Sequence, residues 1–451
     1  MHNSKMAWFR AIMFLVIFVI LNEIIIFAVV PKSTQPRSVL KEMYAKTTNA
    51  DMVFAGSSYS VRGINPYIMD EKLNCSTMDY SFDSQRYLGT YCSLKELFKY
   101  QKPKLVILNT DIMDYIAKSE DRSSYVRVAP YIKSLSSKIQ FFEDFTQEGF
   151  YLDKIFIWRP VYLSSISSIL SILSNIKGKM DPNYINYPTQ TILDSYKKSD
   201  SGYVGKGFLK MDAKDSKNVL NDNKLGVMKI TNTDLNQIKS KNVEYFKMIV
   251  NLCKENNAEL ILIQTPLPTH RMFKEKNYFK FSEKIGEIAK EQGIDYYDYN
   301  LIKPEIFKSK SEYFIDEYHL NSNGADEFSY SLAEFLKLRS SGEDMSKYFY
   351  TSEEYINSIN YITNTWFTNK ISGNKIDIKA DSFHGGQVTP EYQFVLIDPK
   401  SDKSTVIRDY KIDPNLTIEK PVLSDYKIRV NTREVGSKVK YSHYYEQEFK
   451  K

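Results

Sequence analysis

Hydrophobic residues along the chain form five short runs with the character of buried β-strands. Each run ends at polar residues or at glycine, and segments with a helical period precede the third, fourth and fifth runs. The predicted strands are residues 51–55, 76–81, 104–109, 258–264 and 294–299, and a last helix is predicted at 325–338. Strands that alternate with amphipathic helices indicate a parallel sheet with helices on both faces. We therefore predict a doubly wound, flavodoxin-like α/β domain over residues 49–340.

A long segment between the third and fourth predicted strands, residues 115–240, has few strand signals and is predicted to be a largely helical insertion. Within it, residues 155–176 are strongly apolar, which indicates either a core helix or a surface that contacts the membrane or a partner. The many serines in this stretch argue against a second membrane span. Residues 181–207 are rich in Tyr, Asn, Pro and Gly and are predicted to be a loop, of a length typical of lids and binding loops.

The pattern of the chain changes after residue 340. Residues 341–374 are polar and partly helical in character, and we interpret them as a connector. From residue 375 onward, short runs of alternating apolar and polar residues are separated by Asp-Pro and by turns that contain Asn or Gly. This spacing predicts a small β-sandwich domain at 375–451.

An apolar stretch near the N-terminus, residues 11–30, is interrupted only by Asn22 and Glu23. As a helix of about 20 residues it would span roughly 30 Å, the thickness of the hydrocarbon core of a bilayer. A cleaved signal peptide is the rival interpretation, but no clear small-x-small cleavage site stands before Pro31. We therefore predict an uncleaved membrane anchor at 1–31, followed by a linker at 32–48. Because a short N-terminus precedes a large domain, the α/β and β domains are expected on the extracytoplasmic side.

The composition of the chain narrows the function classes. The formal net charge of +6 over 451 residues is small and diffuse, so nucleic-acid binding is not expected. Three widely spaced cysteines, Cys75, Cys92 and Cys253, form no zinc-binding or disulfide pattern, although one pair could still form a bridge. We expect neither a metal nor a cofactor.

Two hydroxyl side chains directly follow the first predicted strand, where Gly56 is followed by Ser57 and Ser58. A strand that breaks at glycine places the next side chains at the carboxyl edge of the sheet, where open α/β folds locate their chemistry. A sharp turn from strand to helix also directs backbone N–H groups towards that point, so a nucleophile and an oxyanion site can share it. The motif is common on its own, but its position makes the serines candidate nucleophiles.

An acid and a histidine stand together near the end of the predicted α/β domain, as Asp316 and His319. Residues 321–324, which follow at once, are typical of a helix N-terminus. A doubly wound sheet brings the loop after its first strand close to late loops at the carboxyl edge. The two motifs together therefore indicate a serine nucleophile, a histidine base and an orienting carboxylate. His270 and Arg271, after the fourth predicted strand, either line the edge of the same site or lie on the surface.

These two blocks resemble the SGNH (GDSL-like) hydrolase superfamily, in which Gly-Asp-Ser follows the first strand and Asp-x-x-His lies near the end of the domain. The resemblance covers roughly residues 49–340, and only the two motifs at the ends of this range are specific to the superfamily. It implies Ser58 as the nucleophile, with Ser57 at the position where the superfamily more often has Asp. It further implies His319 as the base and Asp316 as the residue that holds the histidine tautomer.

The oxyanion blocks of the superfamily are only partly present. The usual glycine after the second strand is absent from residues 80–85, and the third strand ends in Asn109-Thr110-Asp111 rather than Gly-x-Asn-Asp. Ser84 and Asn109 are therefore candidates for the oxyanion hole, together with the backbone N–H of Ser58. These departures leave open a weak hydrolase, a transferase or a relative without activity.

Gly-Ser-Ser combined with an N-terminal anchor is most similar to the DltD-type proteins of teichoic-acid D-alanylation and to envelope proteins that act beside membrane-bound O-acyltransferases. The resemblance implies a membrane-anchored esterase or O-acyltransferase that acts on acetyl or D-alanyl esters of a cell-envelope polymer, such as teichoic acid or an exopolysaccharide. The implied partners are that polymer, the membrane and a membrane-bound O-acyltransferase. The competing hypothesis is a non-catalytic scaffold that docks the polymer or the acyltransferase.

The C-terminal domain resembles the triple-tyrosine (Y_Y_Y) β-sandwich module, with Tyr392, Tyr410 and Tyr426 in the corresponding strands. The tryptophan that is usual in that module is missing. The pattern is consistent with a spacer or packing role and equally with a role in binding a glycan or a partner.

Overall fold

The computed structural model describes residues 2–32, 35–47, 49–120, 122–146, 151–158, 166–212, 233–268, 271–272, 275, 277–359, 361–385, 388–419 and 426–448. The chain divides into two compact units. The first unit consists of Met1–Met211 and Lys239–Leu262, and the second of Asp212–Ile238 and Ile263–Lys451. Residues 213–232, at the end of the predicted insertion, lie outside the described residues.

A parallel sheet is present where the sequence predicts it. In chain order the strands of the α/β part are β1 (Met52–Ala55), β2 (Thr77–Asp79), β3 (Leu105–Asn109), β4 (Gly202–Gly205), β5 (Phe208–Lys210), β6 (Glu259–Gln264) and β7 (Asp295–Asp298). Five of them form a parallel sheet in the order β2-β1-β3-β6-β7, which is the flavodoxin-like order, and each of the five lies within its predicted range. β1 pairs in parallel with both β2 and β3, and all its side chains are buried. The prediction of an interior first strand is therefore confirmed.

Helices account for most of the remaining first unit. They are α1 (His2–Val29), α2 (Gln35–Ala45), α3 (Ser58–Gly63), α4 (Pro66–Leu73), α5 (Tyr87–Phe98), α6 (Ile112–Ile116), α7 (Arg122–Val128), α8 (Leu135–Thr146), α9 (Tyr151–Ile155), α10 (Ile166–Lys179), α11 (Pro182–Asn186), α12 (Gln190–Lys197) and α13 (Ser240–Glu255). α5 and α13 precede β3 and β6 and pack on each other, with the buried rings of Tyr87 and Phe246 5.5 Å apart. This aromatic pair belongs to the core of the first unit.

The insertion is helical as predicted, but it differs in detail from the prediction. The apolar stretch 155–176 is not one helix, because α9 ends at Ile155 and α10 begins at Ile166. The predicted loop 181–207 instead contains α11, α12 and β4, and β4 forms an antiparallel hairpin with β5 just beyond the loop. Its glycines serve close packing, since a Cβ at Gly207 would lie 1.7 Å from the backbone oxygen of Asp79. The hairpin therefore packs directly on the end of β2.

Helices and aromatic side chains form the α/β part of the second unit. Its helices are α14 (Tyr278–Glu291), α15 (Ser322–Ser340) and α16 (Ser352–Ser358). The ring of Tyr299, just after β7, lies 4.9 Å from that of Phe328 and 5.7 Å from that of Phe335, both in α15. All three side chains are buried, so α15 is held against the end of β7 by an aromatic cluster.

The C-terminal part of the second unit is the predicted β-sandwich. Its strands are β8 (Ile362–Ser372), β9 (Lys375–His384), β10 (Pro390–Ile397), β11 (Ser404–Lys411), β12 (Asn415–Glu419), β13 (Lys427–Glu434) and β14 (His443–Glu448). They form antiparallel sheets in the orders β11-β10-β13-β14 and β12-β9-β8, separate from the parallel sheet. Side chains of both sheets, including Ile378, Phe394 and Val430, share one buried core. The sandwich begins earlier than predicted, because β8 lies within the segment 341–374 that we interpreted as a connector.

The three tyrosines that suggested the triple-tyrosine module have different surroundings. Tyr392 is buried, and its hydroxyl lies 3.1 Å from that of Ser382. Tyr410 stacks under the guanidinium of Arg433 at 3.8 Å from the ring centre, and Tyr426 is exposed. Tyr392 therefore serves the packing of the sandwich rather than a binding surface.

The N-terminal helix α1 carries a row of exposed apolar side chains. Within it, Lys5–Val29 is long and apolar enough to cross a membrane. Trp8, Phe14, Leu21 and Ile24 are each more than half exposed, and many other large apolar side chains along the helix are exposed as well. The predicted apolar span at 11–30 is thus a continuous helix.

Candidate active site

β1 ends in a tight turn that leads into α3. Gly56 has a φ of 138°, and a Cβ there would lie 2.8 Å from the backbone oxygen of Asn109. Only glycine meets both demands without strain. Ser57 is buried at the N-cap of α3, where its carbonyl accepts the N–H of Ser60 at 3.1 Å. Ser58 is therefore the first helical residue, partly exposed, at the position predicted for the nucleophile.

Asn109 lies beside this turn at the carboxyl end of β3. Because β1 and β3 are parallel neighbours, their carboxyl ends meet at the same edge of the sheet. The Cβ of Asn109 would lie only 3.1 Å from a Cβ at Gly56, and its side chain is buried. The structure thus places this oxyanion candidate next to the turn that holds Ser58.

The second oxyanion candidate, Ser84, stands in the loop after β2. This loop begins alongside β1, because the N–H groups of Tyr80 and Phe82 donate to the carbonyls of Phe54 and Gly56 at 2.7 and 3.2 Å. Ser84 has a φ of 62°, in the left-handed region that glycine adopts most readily. The glycine that the resemblance leads one to expect in this loop is absent, and Ser84 adopts a conformation suited to glycine.

Two side-chain links that the sequence analysis did not identify hold α3 to the β2 side of the sheet. Arg62 donates two hydrogen bonds to the carboxylate of Asp83, at 2.5 and 3.0 Å. The hydroxyl of Ser60 donates to the carboxylate of Asp79 at 3.0 Å, and both groups are buried. The helix that begins at Ser58 is therefore fixed on two sides. Neither link has a local signal, since its two partners are far apart in the sequence.

Asp79 is completely buried at the end of β2. Burial raises the pKa of its carboxyl to about 7, although hydrogen bonds from Ser81 and Ser60 partly offset the loss of hydration. The folded protein therefore keeps the Asp79 proton at pH values where an exposed aspartate has lost it.

We expect the free energy of unfolding of the wild type to fall, relative to that of Asp79→Asn, as the pH rises from 3.8 through about 7. In this window the unfolded chain has released the proton and the folded protein has not, so the unfolded state binds fewer protons and stability decreases with pH. Urea unfolding of both proteins in detergent micelles at several pH values measures the difference. A difference that stays constant across the window would contradict the protonated carboxyl, since all other groups titrate in both proteins.

The predicted acid and base lie together in the turn before α15. Nδ1 of His319 is 2.8 and 3.0 Å from the two carboxylate oxygens of Asp316. The same carboxylate accepts the N–H groups of Tyr318 and His319 at 2.7 and 2.8 Å. Because an ionised carboxylate can only accept, Nδ1 carries a hydrogen, and whenever the ring is neutral Nε2 is its acceptor. This is the arrangement of a histidine base oriented by an acid.

The ionisation of Asp316 supports this arrangement. Partial burial alone would raise the pKa of its carboxyl, but the hydrogen bonds from the His319 ring and from the two N–H groups outweigh burial and hold the pKa below its ordinary value. Asp316 is thus ionised throughout the neutral range and keeps the tautomer of His319 fixed. The exposed fractions of the two side chains, 20% for His319 and 49% for Asp316, leave the pair within reach of a substrate.

Backbone contacts hold the Asp316–His319 turn in place. Phe314 and Leu320 pair as an antiparallel bridge across its base. Asn321 caps α15 by accepting the N–H of Gly324 at 3.0 Å, and a Cβ at Gly324 would lie 2.2 Å from the backbone oxygen of Tyr313. The helix-capping pattern seen in the sequence therefore fixes the position of the histidine.

A cation lies next to the same turn. The guanidinium of Arg271 is 5.0 Å from the ring centre of Tyr318 and donates to the carboxylate of Glu275 at 2.6 Å. Glu275 also accepts the hydroxyl of Thr233. Of the two residues that the sequence analysis left undecided, Arg271 is thus adjacent to the turn, and His270 lies outside the described residues.

The candidate residues fall into two pairs. Ser58 and Asn109 belong to the first unit, and Asp316 and His319 belong to the second. The structure brings the Ser58 turn together with Asn109, and His319 together with Asp316. The joining of the two pairs in one Ser-His-Asp triad stays a prediction from the sequence.

Comparisons with known proteins add little. No protein-family model matches the chain, and no curated protein matches it at a significant level. A Bacteroides fragilis protein described as a candidate acylhydrolase is 10% identical, with 69% of this chain and 99% of that chain covered and a TM-score of 0.31. A trimodular endoglucanase of subfamily GH5_4 is 11% identical, with coverage of 90% and 72% and a TM-score of 0.16. Scores this low do not establish a common fold, so any functional conclusion has to come from the geometry of the two pairs.

Proposed function

We propose that this protein is a membrane-anchored serine esterase or O-acyltransferase of the SGNH type, with Ser58 as nucleophile, His319 as base and Asp316 as orienting acid. The observation that supports this most strongly is the Asp316–His319 pair, because the carboxylate binds Nδ1 and so makes Nε2 the nitrogen that accepts a proton in the neutral ring. The position of Ser58 supports the same role, since it begins a helix directly after the carboxyl end of an interior parallel strand.

The proposed reaction has two halves. Ser58 Oγ attacks the carbonyl carbon of an ester while its proton passes to Nε2 of His319, and Asp316 stabilises the imidazolium that forms. The C–O bond of the ester then breaks, and the leaving alcohol takes the proton from His319. The acyl group on Ser58 is next attacked by water or by an acceptor hydroxyl, whose proton passes to Nε2 of His319. The bond between Oγ and the acyl carbon then breaks, and Oγ takes the proton back from His319. Water gives hydrolysis and a polymer hydroxyl gives transfer.

The negative oxygen of the tetrahedral intermediate needs nearby donors. The backbone N–H of Ser58 lies in the turn itself, and Asn109 supplies a side-chain amide beside that turn. Ser84 is the third candidate, in the loop that begins alongside β1. Of the two side-chain candidates, Asn109 has the stronger support, because its backbone and Cβ contact the glycine of the turn.

The proposed substrates are acetyl or D-alanyl esters of a cell-envelope polymer. The exposed apolar helix α1 supports a single-pass anchor. The proposed orientation has the catalytic and β domains on the extracytoplasmic side. An anchored enzyme stays at the surface where a membrane-bound O-acyltransferase would deliver acyl groups, and that acyltransferase is the proposed partner.

A docking scaffold without catalysis is the second candidate. The β-sandwich of the second unit favours this alternative. It consists of two sheets with their own core, and the proposed chemistry does not use it. In this alternative the α/β part binds the polymer or the acyltransferase without forming an ester.

A fluorophosphonate probe separates the two candidates. We expect the full-length protein in detergent micelles to form a covalent adduct, which mass spectrometry locates on the peptide that carries Ser58, and to hydrolyse p-nitrophenyl acetate. Prior acylation by an activated acetyl or D-alanyl ester should protect Ser58 from the probe and indicate the preferred acyl group. An unmodified Ser58 under conditions that label a known serine esterase completely would favour the scaffold.

A further inference from the structure

A second apolar surface lies directly beside α1. It is formed by residues 151–158, which include α9, and by α10, and we name it the α9–α10 flank. Among its described side chains, the exposed large apolar ones are Tyr151, Leu152, Ile155, Leu170 and Leu173. Leu170 and Leu173 are each 61% exposed, so α10 is not the core helix that its apolar sequence also allowed.

The first part of the flank contacts the middle of α1. The ring of Phe156 meets the ring of Phe18 edge-on at 5.9 Å, and the indole N–H of Trp158 donates to the side-chain oxygen of Asn22 at 3.0 Å. Phe18 lies 12 residues before Val30, a distance of roughly 18 Å along a helix. Half the hydrocarbon thickness of a bilayer is roughly 15 Å. Phe18 is thus about as far from the end of α1 as the middle of a bilayer is from its edge.

The end of α10 caps the last turn of α1. The side-chain amide of Asn175 donates to the carbonyls of Ala28 and Val30 at 2.9 and 2.6 Å. The ammonium of Lys179 donates to the carbonyls of Phe27 and Val30 at 2.7 and 2.6 Å, and its side chain is buried. The terminal carbonyls of a helix have no partners within the helix, so these bonds fix α10 to the point where α1 ends.

We propose that the α9–α10 flank is a second membrane-contacting element, whose apolar side chains lie among the lipid acyl chains of the leaflet nearest the folded domains and which does not cross the bilayer. The inference rests on the membrane-anchor part of the proposed function and is independent of the triad. If α1 lies in lipid at Phe18 and Asn22, the side chains packed against these residues are at the same depth. A bilayer that surrounds α1 therefore meets Phe156 and Trp158 as well.

The distribution of polar groups supports lipid as the occupant. The one polar group of Trp158 is satisfied by Asn22, so its indole can lie in lipid without an unpaired donor. The exposed Lys177 stands at the end of α10 where it caps α1, at the level expected for lipid head groups. The flank thus has apolar side chains along α1 and cations where α1 ends.

Fluorescence quenching by spin-labelled lipids tests the proposal. Full-length protein with Cys75 replaced by serine is reconstituted in vesicles of phosphatidylcholine and phosphatidylglycerol, and a single environment-sensitive fluorophore is attached to L173C, L21C or L135C. Leu21 is exposed on α1, and Leu135 is exposed on α8, which packs on α5. The remaining cysteines, Cys92 and Cys253, are buried and remain unlabelled.

The three labels separate the possible outcomes. We expect the label at position 173 to be quenched by acyl-chain spin labels nearly as strongly as that at position 21, and several-fold more strongly than that at position 135. Quenching at 21 but not at 173 would overturn the inference, because it would place the flank outside the acyl chains while α1 still lies in lipid. An absence of quenching at both positions would overturn the membrane anchor itself.

Discussion

Replacement of Ser58 by alanine is expected to reduce acyl-ester turnover by roughly four to six orders of magnitude and to abolish fluorophosphonate labelling. The effect is large because the serine oxygen carries the acyl group between the two halves of the reaction, and water in its place lacks both the covalent intermediate and the fixed position. Turnover of p-nitrophenyl acetate by the purified full-length protein, together with acylation of the envelope polymer in cells, measures the loss.

Ser57→Ala is the matched control for this experiment. Its hydroxyl is one residue away, and its side chain makes no capping hydrogen bond at the start of α3. We therefore expect the variant to retain most of the labelling and most of the turnover. Normal polymer acylation by a folded Ser58→Ala protein would contradict the enzyme hypothesis and favour the docking scaffold.

Removal of the histidine base by His319→Ala is expected to cost about as much as removal of the nucleophile, because the two groups act as a unit. The double variant Ser58→Ala/His319→Ala should therefore be no less active than either single variant. Asp316→Asn should lose less than His319→Ala, since it disturbs the tautomer without removing a reacting atom. Values of kcat/KM for the four proteins test this order.

The double variant also tests whether the two pairs form one triad. If Ser58 and His319 worked in separate sites, their losses would multiply in the double variant. Losses that multiply would thus contradict the predicted joining of the Ser58 turn with the Asp316–His319 turn.

Features of the fold with local signals were predictable from the sequence. β1 ends where Gly56 breaks an apolar run, and the cap at Asn321 and Gly324 marks the start of α15 within a few residues of its predicted position. The Asp316–His319 contact was also predictable, because a tight turn brings residues three apart into reach. In each case the residues that decide the structure are neighbours in the chain.

Features that depend on distant partners were missed. Ser60 and Asp79 lie 19 residues apart, and Arg62 and Asp83 lie 21 apart, so no local pattern pairs them. Gly207 belongs to the segment that is predicted to be a loop, but it instead allows the β4–β5 hairpin to approach Asp79 closely. β8 is an edge strand with many polar residues, and this polarity is why its sequence predicts a connector.

The bonds from α10 to the end of α1 also constrain the order of events during biosynthesis. Lys179 and Val30 are separated by 149 residues, so bringing them together in an unfolded chain costs about 4 kcal/mol in loop-closure entropy. A single charged hydrogen bond returns only about 1.5–3 kcal/mol, so the loop closes only when the four bonds from Asn175 and Lys179 form together with the packing of the helices between. If α1 is the membrane anchor proposed above, we therefore expect it to enter the bilayer before its last carbonyls meet their cap. We expect the nascent chain to be attached to the membrane by α1 first. The hydrogen bonds from α10 to α1 should form later, once the intervening helices have folded around the sheet.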